Sequence, residues 1–158
     1  MYRIELTTYG YKVTLAGSVS ARALTAWVQE SESLLAGQTG EFGVLFDVRQ
    51  LKAIGFEERE VLRKARLLYR EKGMRRSVVV GEGAALLQQL RQVAVDSRSA
   101  ALERYLDALQ VHDWGRHALG WLQNGIEPGS RALLPPVSRP APRRGGIWSV
   151  WRALIGSW

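Results

Sequence analysis

The run Phe42-Gly43-Val44-Leu45-Phe46-Asp47-Val48 constrains this chain more than any other segment. It is apolar without alternation and far too short to span a membrane, so it predicts a strand covered on both faces. Ser77-Val78-Val79-Val80 repeats the pattern. Between the two, residues 57–72 place Val61, Leu62, Ala65, Leu68 and Tyr69 on one helical side, and Gly73 is suited to end that helix. Ala84 to about Val95 is again helical, with Leu87, Leu90 and Ala94 on one face.

The flanks complete the pattern. Residues 2–8 and 11–17 alternate with a period of two, Ile4 and Leu6 against Arg3 and Glu5, then Val13 and Leu15 against Lys12 and Thr14. Around Tyr9-Gly10 this predicts a hairpin. Ser18 or Ser20 can cap a helix carrying Leu24, Trp27, Val28, Ser31 and Leu35, which Gly37 stops. Arg104-Tyr105-Leu106 predicts a short edge strand, and Asp113 caps a last helix holding Trp114, Ala118, Trp121 and Leu122. Helices alternating with strands behind a hairpin predict an α/β fold, a largely parallel sheet with an antiparallel strand at one edge.

Composition sets the boundaries. The chain has 158 residues, 46% hydrophobic and 23% charged, enough for one domain with a real core. No cysteine is present, which excludes disulfides, thiolate metal sites and a cysteine nucleophile. Of the net charge of +7, residues 125–158 carry much, with Arg131, Arg139, Arg143, Arg144 and Arg152 against Glu127 alone. All five prolines and three of the six tryptophans lie there too. The expected organisation is a domain over residues 1–124, a Pro/Arg-rich linker over 125–146 and an amphipathic segment over 147–158. Met1–Leu6 enters strand alternation without the basic and apolar regions of a secretory signal, and no run approaches ~18 apolar residues. The expected location is cytoplasmic, with peripheral attachment at the inner face of the membrane left open.

Several local patterns resemble a family. Gly43-Val44-Leu45-Phe46-Asp47-Val48-Arg49 leading to a long helix, Met74-Arg75-Arg76-Ser77-Val78-Val79-Val80, and Arg104-Tyr105-Leu106-Asp107 followed by Ala118-Leu119-Gly120-Trp121-Leu122 resemble the STAS-like domains. These are the small bacterial domains of anti-sigma-factor antagonists and Sec14-like proteins. The resemblance covers residues 2–123. It implies a four- or five-stranded mixed sheet flanked by helices, and a role in binding or regulation rather than catalysis. Anti-sigma-factor antagonists carry a phosphorylated serine at the start of the second helix. Here that segment reads Ala53-Ile54-Gly55-Phe56-Glu57-Glu58, with no hydroxyl, so the phosphorylation switch is not carried over.

Residues suited to chemistry are few. His112 and His117 stand five apart around Asp113, which is not the spacing of a helical zinc pair, and both imidazoles are expected in solvent. No Gly-x-Ser-x-Gly elbow is present, and neither a metal nor a cofactor is expected. Val80-Gly81-Glu82-Gly83-Ala84-Ala85 joins a strand to a helix as a phosphate-cradling turn does, but Leu86 replaces the third small residue and Glu82 repels phosphate. Asp47 closes a central strand, where open α/β sheets bind ligands. Asp47, Gly81 and Gly83 therefore make a candidate crevice for a small ligand or lipid.

Two features concern contacts. Arg59, Arg63, Arg66 and Arg70 form a stripe at i, i+4, i+7 and i+11 on the long helix. It is expected to be exposed, as solvated charge or as a docking surface for an acidic partner or anionic lipid; nucleic acid is the weaker alternative. Wound as a helix, residues 147–158 gather Ile147, Trp148, Trp151, Leu154, Ile155 and Trp158 on one face. At 1.5 Å per residue that helix is about 18 Å long, too short to cross a ~30 Å hydrocarbon core. Indoles favour the membrane interface, and Arg143 and Arg144 would meet anionic headgroups. A groove on another protein, or on the same domain, is the alternative surface. The expectation is a non-enzymatic adaptor attached through this segment to a membrane surface or a partner assembly, or a ligand-binding domain using the strand-end crevice.

Overall fold

A computed structural model describes residues 1–133; the notional linker from residue 134 and the segment 147–158 lie outside the described residues. The chain folds as β1 (Tyr2–Leu6), β2 (Gly10–Leu15), α1 (Ala21–Leu35), β3 (Phe42–Asp47), α2 (Phe56–Glu71), β4 (Met74–Gly81), α3 (Ala84–Asp96), β5 (Glu103–Asp107) and α4 (Trp114–Asn124), with a last 3-10 turn at Arg131–Leu133. The five strands form one mixed sheet in the order β1-β2-β3-β4-β5. β1 pairs antiparallel with β2, and the remaining pairs are parallel. The α/β class with its antiparallel edge is as the periodicities predicted. The hairpin strands are shorter than expected, because Thr7–Tyr9 are spent on a turn closed by the Thr7 amide donating to Gly10 O at 2.8 Å.

Strand alternation divides the sheet into two faces. Tyr11, Val13 and Leu15, then Phe42, Val44, Phe46 and Val48, point toward α1, α2 and α3, where Trp27, Leu62, Tyr69 and Leu90 complete the larger core. Trp27 is fully buried, edge-on to Phe46 and stacked on Tyr69, whose hydroxyl shares a 2.8 Å hydrogen bond with Ser31. The opposite face buries Leu45, Val78, Val80 and Leu106 under Ala118, Trp121 and Leu122 of α4. α4 packs on β3, β4 and β5 but not on β1 or β2, so the hairpin keeps one face open.

Local signals account for the starts of α1 and α2, whereas Asp113, expected to cap α4, makes no side-chain cap bond and instead stands 3.3 Å from His117 Nε2. The Ser20 hydroxyl accepts the Ala23 amide at 3.2 Å and caps α1, while Glu58 reaches back to the Gly55 amide at 3.0 Å and fixes the start of α2. The packed chain runs on past residue 124. Ile126 donates to Gly120 O at 3.0 Å, Glu127 holds the Arg104 guanidinium with two contacts of 2.7 Å, and the Gly129 amide donates to His117 Nδ1 at 3.1 Å. His117 is therefore buried, contrary to the solvated imidazole expected, whereas His112 is exposed.

Candidate functional site

Parity along β3 turns Asp47, like Leu45, toward the α4 side of the sheet. There Arg49 Nε and Nη2 hold its two carboxylate oxygens at 2.9 Å each, the Arg49 amide adds a 3.3 Å contact, and Lys12 Nζ stands 3.7 Å away. Burial alone would raise the Asp47 pKa, but the Arg49 hydrogen bonds and the two cations outweigh it and hold the carboxyl below its ordinary range. Trp114 of α4 packs on the Arg49 guanidinium, 4.6 Å from the ring centre. Asp47, Lys12, Thr14 and Arg49 line a recess of about 390 Å³ beside the open hairpin face.

The glycines expected to share this crevice face elsewhere. A Cβ on Gly81 would lie 2.8 Å from Leu87 and 3.3 Å from Val48, on the side of the three-helix layer. Gly83 takes a φ of +95° and donates its amide to Asp107 Oδ1 at 3.3 Å, a carboxylate oxygen that also accepts the Leu109 amide at 3.0 Å. In register, Asp47 lies opposite Val80 and Gly81 opposite Asp107, so the three residues are near one another along the strand ends but divided between two faces. The single crevice built on Asp47, Gly81 and Gly83 is not assembled. The glycines make the tight β4–α3 turn.

The arginine stripe is likewise divided. Arg63 and Arg70 line a groove of about 520 Å³ between α2 and the end of α3, with Leu67, Asp96 and Arg98. A smaller hollow continues it to Arg59 and to Phe56, a residue 70% exposed. Arg63 pairs with Glu60 at 3.3 Å, and Arg70 Nη1 donates to Arg98 O at 2.9 Å. Arg66 is not on this surface: it is 2% exposed. Its guanidinium lies 3.6 Å from the centre of the Phe46 ring, and Nε is 3.1 Å from Glu103 Oε2. The expected exposure fails at Arg66 because α2 is wedged between α1 and α3, which widens its buried arc beyond the apolar residues.

Glu103 escaped the sequence reading. It holds Arg66, the Ser77 hydroxyl at 2.8 Å and the Tyr105 hydroxyl in one buried cluster. A signal was present, since Ser77 and Glu103 are polar residues on the inward face of strands and need partners there. Phe56 and Arg98 were also missed as parts of the groove. Arg63→Gln is expected to change stability by less than about 1 kcal/mol, as for a surface ion pair, in a chemical denaturation curve. A loss of several kcal/mol would place that guanidinium in the core as well.

Arg143, Arg144, Ile147, Trp148, Trp151, Leu154, Ile155 and Trp158 lie outside the described residues. Among the described residues, no group of three or more potential ligands could hold a metal ion, and no helix is long and apolar enough to cross a membrane. The chain matches no family model and no curated protein.

Proposed function

We propose that this chain is a non-enzymatic binding module of STAS-like type, which presents the α2–α3 groove to a partner protein and is held at the cytoplasmic face of an anionic membrane by residues 147–158. The observation that carries the reading is the state of the strand ends. Asp47 is clamped by Arg49, Asp107 is occupied by two backbone amides, and the space beside Gly81 is filled by Leu87. Ionisable groups that catalysis at this place would need free are committed to holding the fold. The mixed sheet with helices on both faces fits what the STAS resemblance implies. The α2–α3 groove, by contrast, offers Arg59, Arg63 and Arg70 beside an exposed Phe56, a mixture of charge and apolar surface suited to a protein segment.

Attachment rests on the sequence of the C-terminal segment. Wound as a helix, its three tryptophans would share one face with Ile147, Leu154 and Ile155, and a twelve-residue helix of this kind would need a surface on which to form. The full chain is expected to sediment with vesicles containing phosphatidylserine and not with pure phosphatidylcholine, and its tryptophan emission should move to the blue as it does so. Trp151→Ser with Leu154→Ser removes roughly 1.5–3 kcal/mol per side chain and should abolish sedimentation. Arg143→Gln and Arg144→Gln should weaken it by about 1 kcal/mol each, less at high salt. A full chain that stays in the supernatant with both vesicle types, its emission unchanged, would overturn the membrane attachment and leave a protein groove as the surface for this segment.

A further inference from the structure

The two edges of the sheet are finished differently. In the hairpin, Ala16 donates to Met1 O at 2.9 Å and Thr7 to Gly10 O at 2.8 Å, and the register pairs Arg3 with Thr14 and Glu5 with Lys12. Closely spaced hydrogen-bonded pairs alternate along an antiparallel ladder, so the backbone groups of Arg3 and Glu5 point inward to β2. Those of Tyr2, Ile4 and Leu6 point outward. Among the described elements β1 touches only β2 and α1, and no described segment lies along its outer edge. No proline, lysine or bulge interrupts the strand, and Leu6 at its end is 80% exposed.

At the other edge two of the corresponding carbonyls, one near each end of the strand, are occupied. Ser77 donates to Leu102 O at 2.9 Å and Ala108 to Gly81 O at 2.9 Å, which turns the backbone of Glu103, Tyr105 and Asp107 outward. The Glu103 carbonyl already accepts Arg104 Nη1 at 3.0 Å, and the Asp107 carbonyl accepts the amides of Gln110 at 3.0 Å and Val111 at 2.9 Å. β5 is thus blunted at both ends, and β1 is the edge with the longer run of outward groups for another strand.

We propose that the occupant of the β1 edge is β1 of a second copy of this chain, paired antiparallel about Ile4, so that two sheets join into one. The sequence of the strand is self-complementary in that register. Ile4 faces Ile4 of the second copy, and Tyr2 faces its Leu6, all through outward backbone groups that can exchange hydrogen bonds. Arg3 then faces Glu5 of the second copy, and Glu5 faces its Arg3, at the closer, non-hydrogen-bonded positions on the open side of the hairpin. Within one chain Arg3 Nη2 and Glu5 Oε2 already stand 3.2 Å apart on this side, so the joined strands carry a ladder of alternating charge. A two-fold axis through Ile4 makes the contact isologous and closed, which stops it from growing into a fibre. Exposed Leu6 gains the Tyr2 side chain of the second copy as cover.

The test is sedimentation velocity of the full chain from low to high micromolar concentration, with circular dichroism to verify folding. The full chain is expected to pass from 17.7 kDa to twice that mass. Arg3→Glu places two carboxylates face to face and Glu5→Arg two guanidinium groups, and each should raise the dimer Kd by more than about tenfold. An equimolar mixture of these two variants restores both cross-strand pairs and should dimerise like the original chain. Leu6→Lys, at an exposed position that the monomer fold does not need, should also weaken the dimer. A full chain that is monomeric throughout overturns the proposal. So does a dimer indifferent to all three substitutions, since its contact would then lie elsewhere.

Discussion

Glu103→Gln is expected to destabilise the domain by about 3–5 kcal/mol, the loss seen when one partner of a buried ion pair is removed. The Glu103 side chain has no exposed surface and that of Arg66 only 2%, so neither charge can turn to water when the other is lost. The carboxylate gathers the Arg66 guanidinium, the Ser77 hydroxyl and the Tyr105 hydroxyl. Arg66 has little else: beyond this ion pair neither Nε nor Nη1 makes a hydrogen bond, and the Phe46 ring covers the cation. Glutamine nearly preserves the shape but removes the balancing charge, which isolates the electrostatic part of the loss. Tyr105 reports on the same change. Burial, and after it the Glu103 charge, push its pKa far above the ordinary phenol range. In urea the midpoint should fall by more than about 1 M with an unchanged slope. Arg66→Met combined with Glu103→Gln should cost much less than the two single changes together, because the double variant leaves no isolated charge. If Glu103→Gln costs less than about 1 kcal/mol, the guanidinium reaches solvent and the cluster is not a closed one.

That pair marks the boundary of what could be read from the sequence. Elements were legible because each has its own period: Leu24, Trp27, Ser31 and Leu35 are the buried residues of α1, and Phe42–Val48 is buried along its whole length. Caps were legible where a side chain performs them, as at Ser20. What stayed hidden depends on pairing between elements. The i+7 position of the arginine stripe is buried only because Glu103, on a strand 37 positions away in sequence, supplies its counter-charge. Asp47 and Gly81 both end strands, yet the register that sends one to the α4 face and the other to the α3 face is a property of β3 against β4. His117 is buried by the return of residues 126–130, a stretch whose proline, glycine and serine content resembles a linker although its first residues are hydrogen-bonded to α4. Composition reports how a segment would behave alone. It does not report which surface the segment meets.

Gly10→Ala is the other change expected to have a large effect, and it probes the junction on which the hairpin depends. Gly10 opens β2 at a φ of +141°, a backbone conformation open to glycine and strained for alanine. A Cβ there would stand 2.2 Å from Gly43 O and 2.9 Å from Gly43 N, the residue opposite it in the parallel β2–β3 pair. Neither strand can give way easily. The Gly43 amide is tied to Tyr9 O at 2.7 Å, and behind Gly43 stands Leu122 of α4, within 3.1 Å of where a Cβ would be. Moving β3 away from the new methyl group therefore drives it into the smaller core. Backbone strain of about 1–3 kcal/mol and overpacking of about 1–3 kcal/mol both apply, for an expected loss of roughly 2–6 kcal/mol. Gly115→Ala is the matched control: it lies in the first turn of α4, with nothing within 4 Å of the added carbon. There alanine should stabilise by about 0.4–1 kcal/mol, through the narrower unfolded ensemble and the better helix former. Equilibrium unfolding of the two variants beside the original chain separates the cases. A Gly10→Ala loss within 1 kcal/mol would mean that the β1–β2 hairpin is not held against β3 as tightly as the Gly10–Gly43 approach requires.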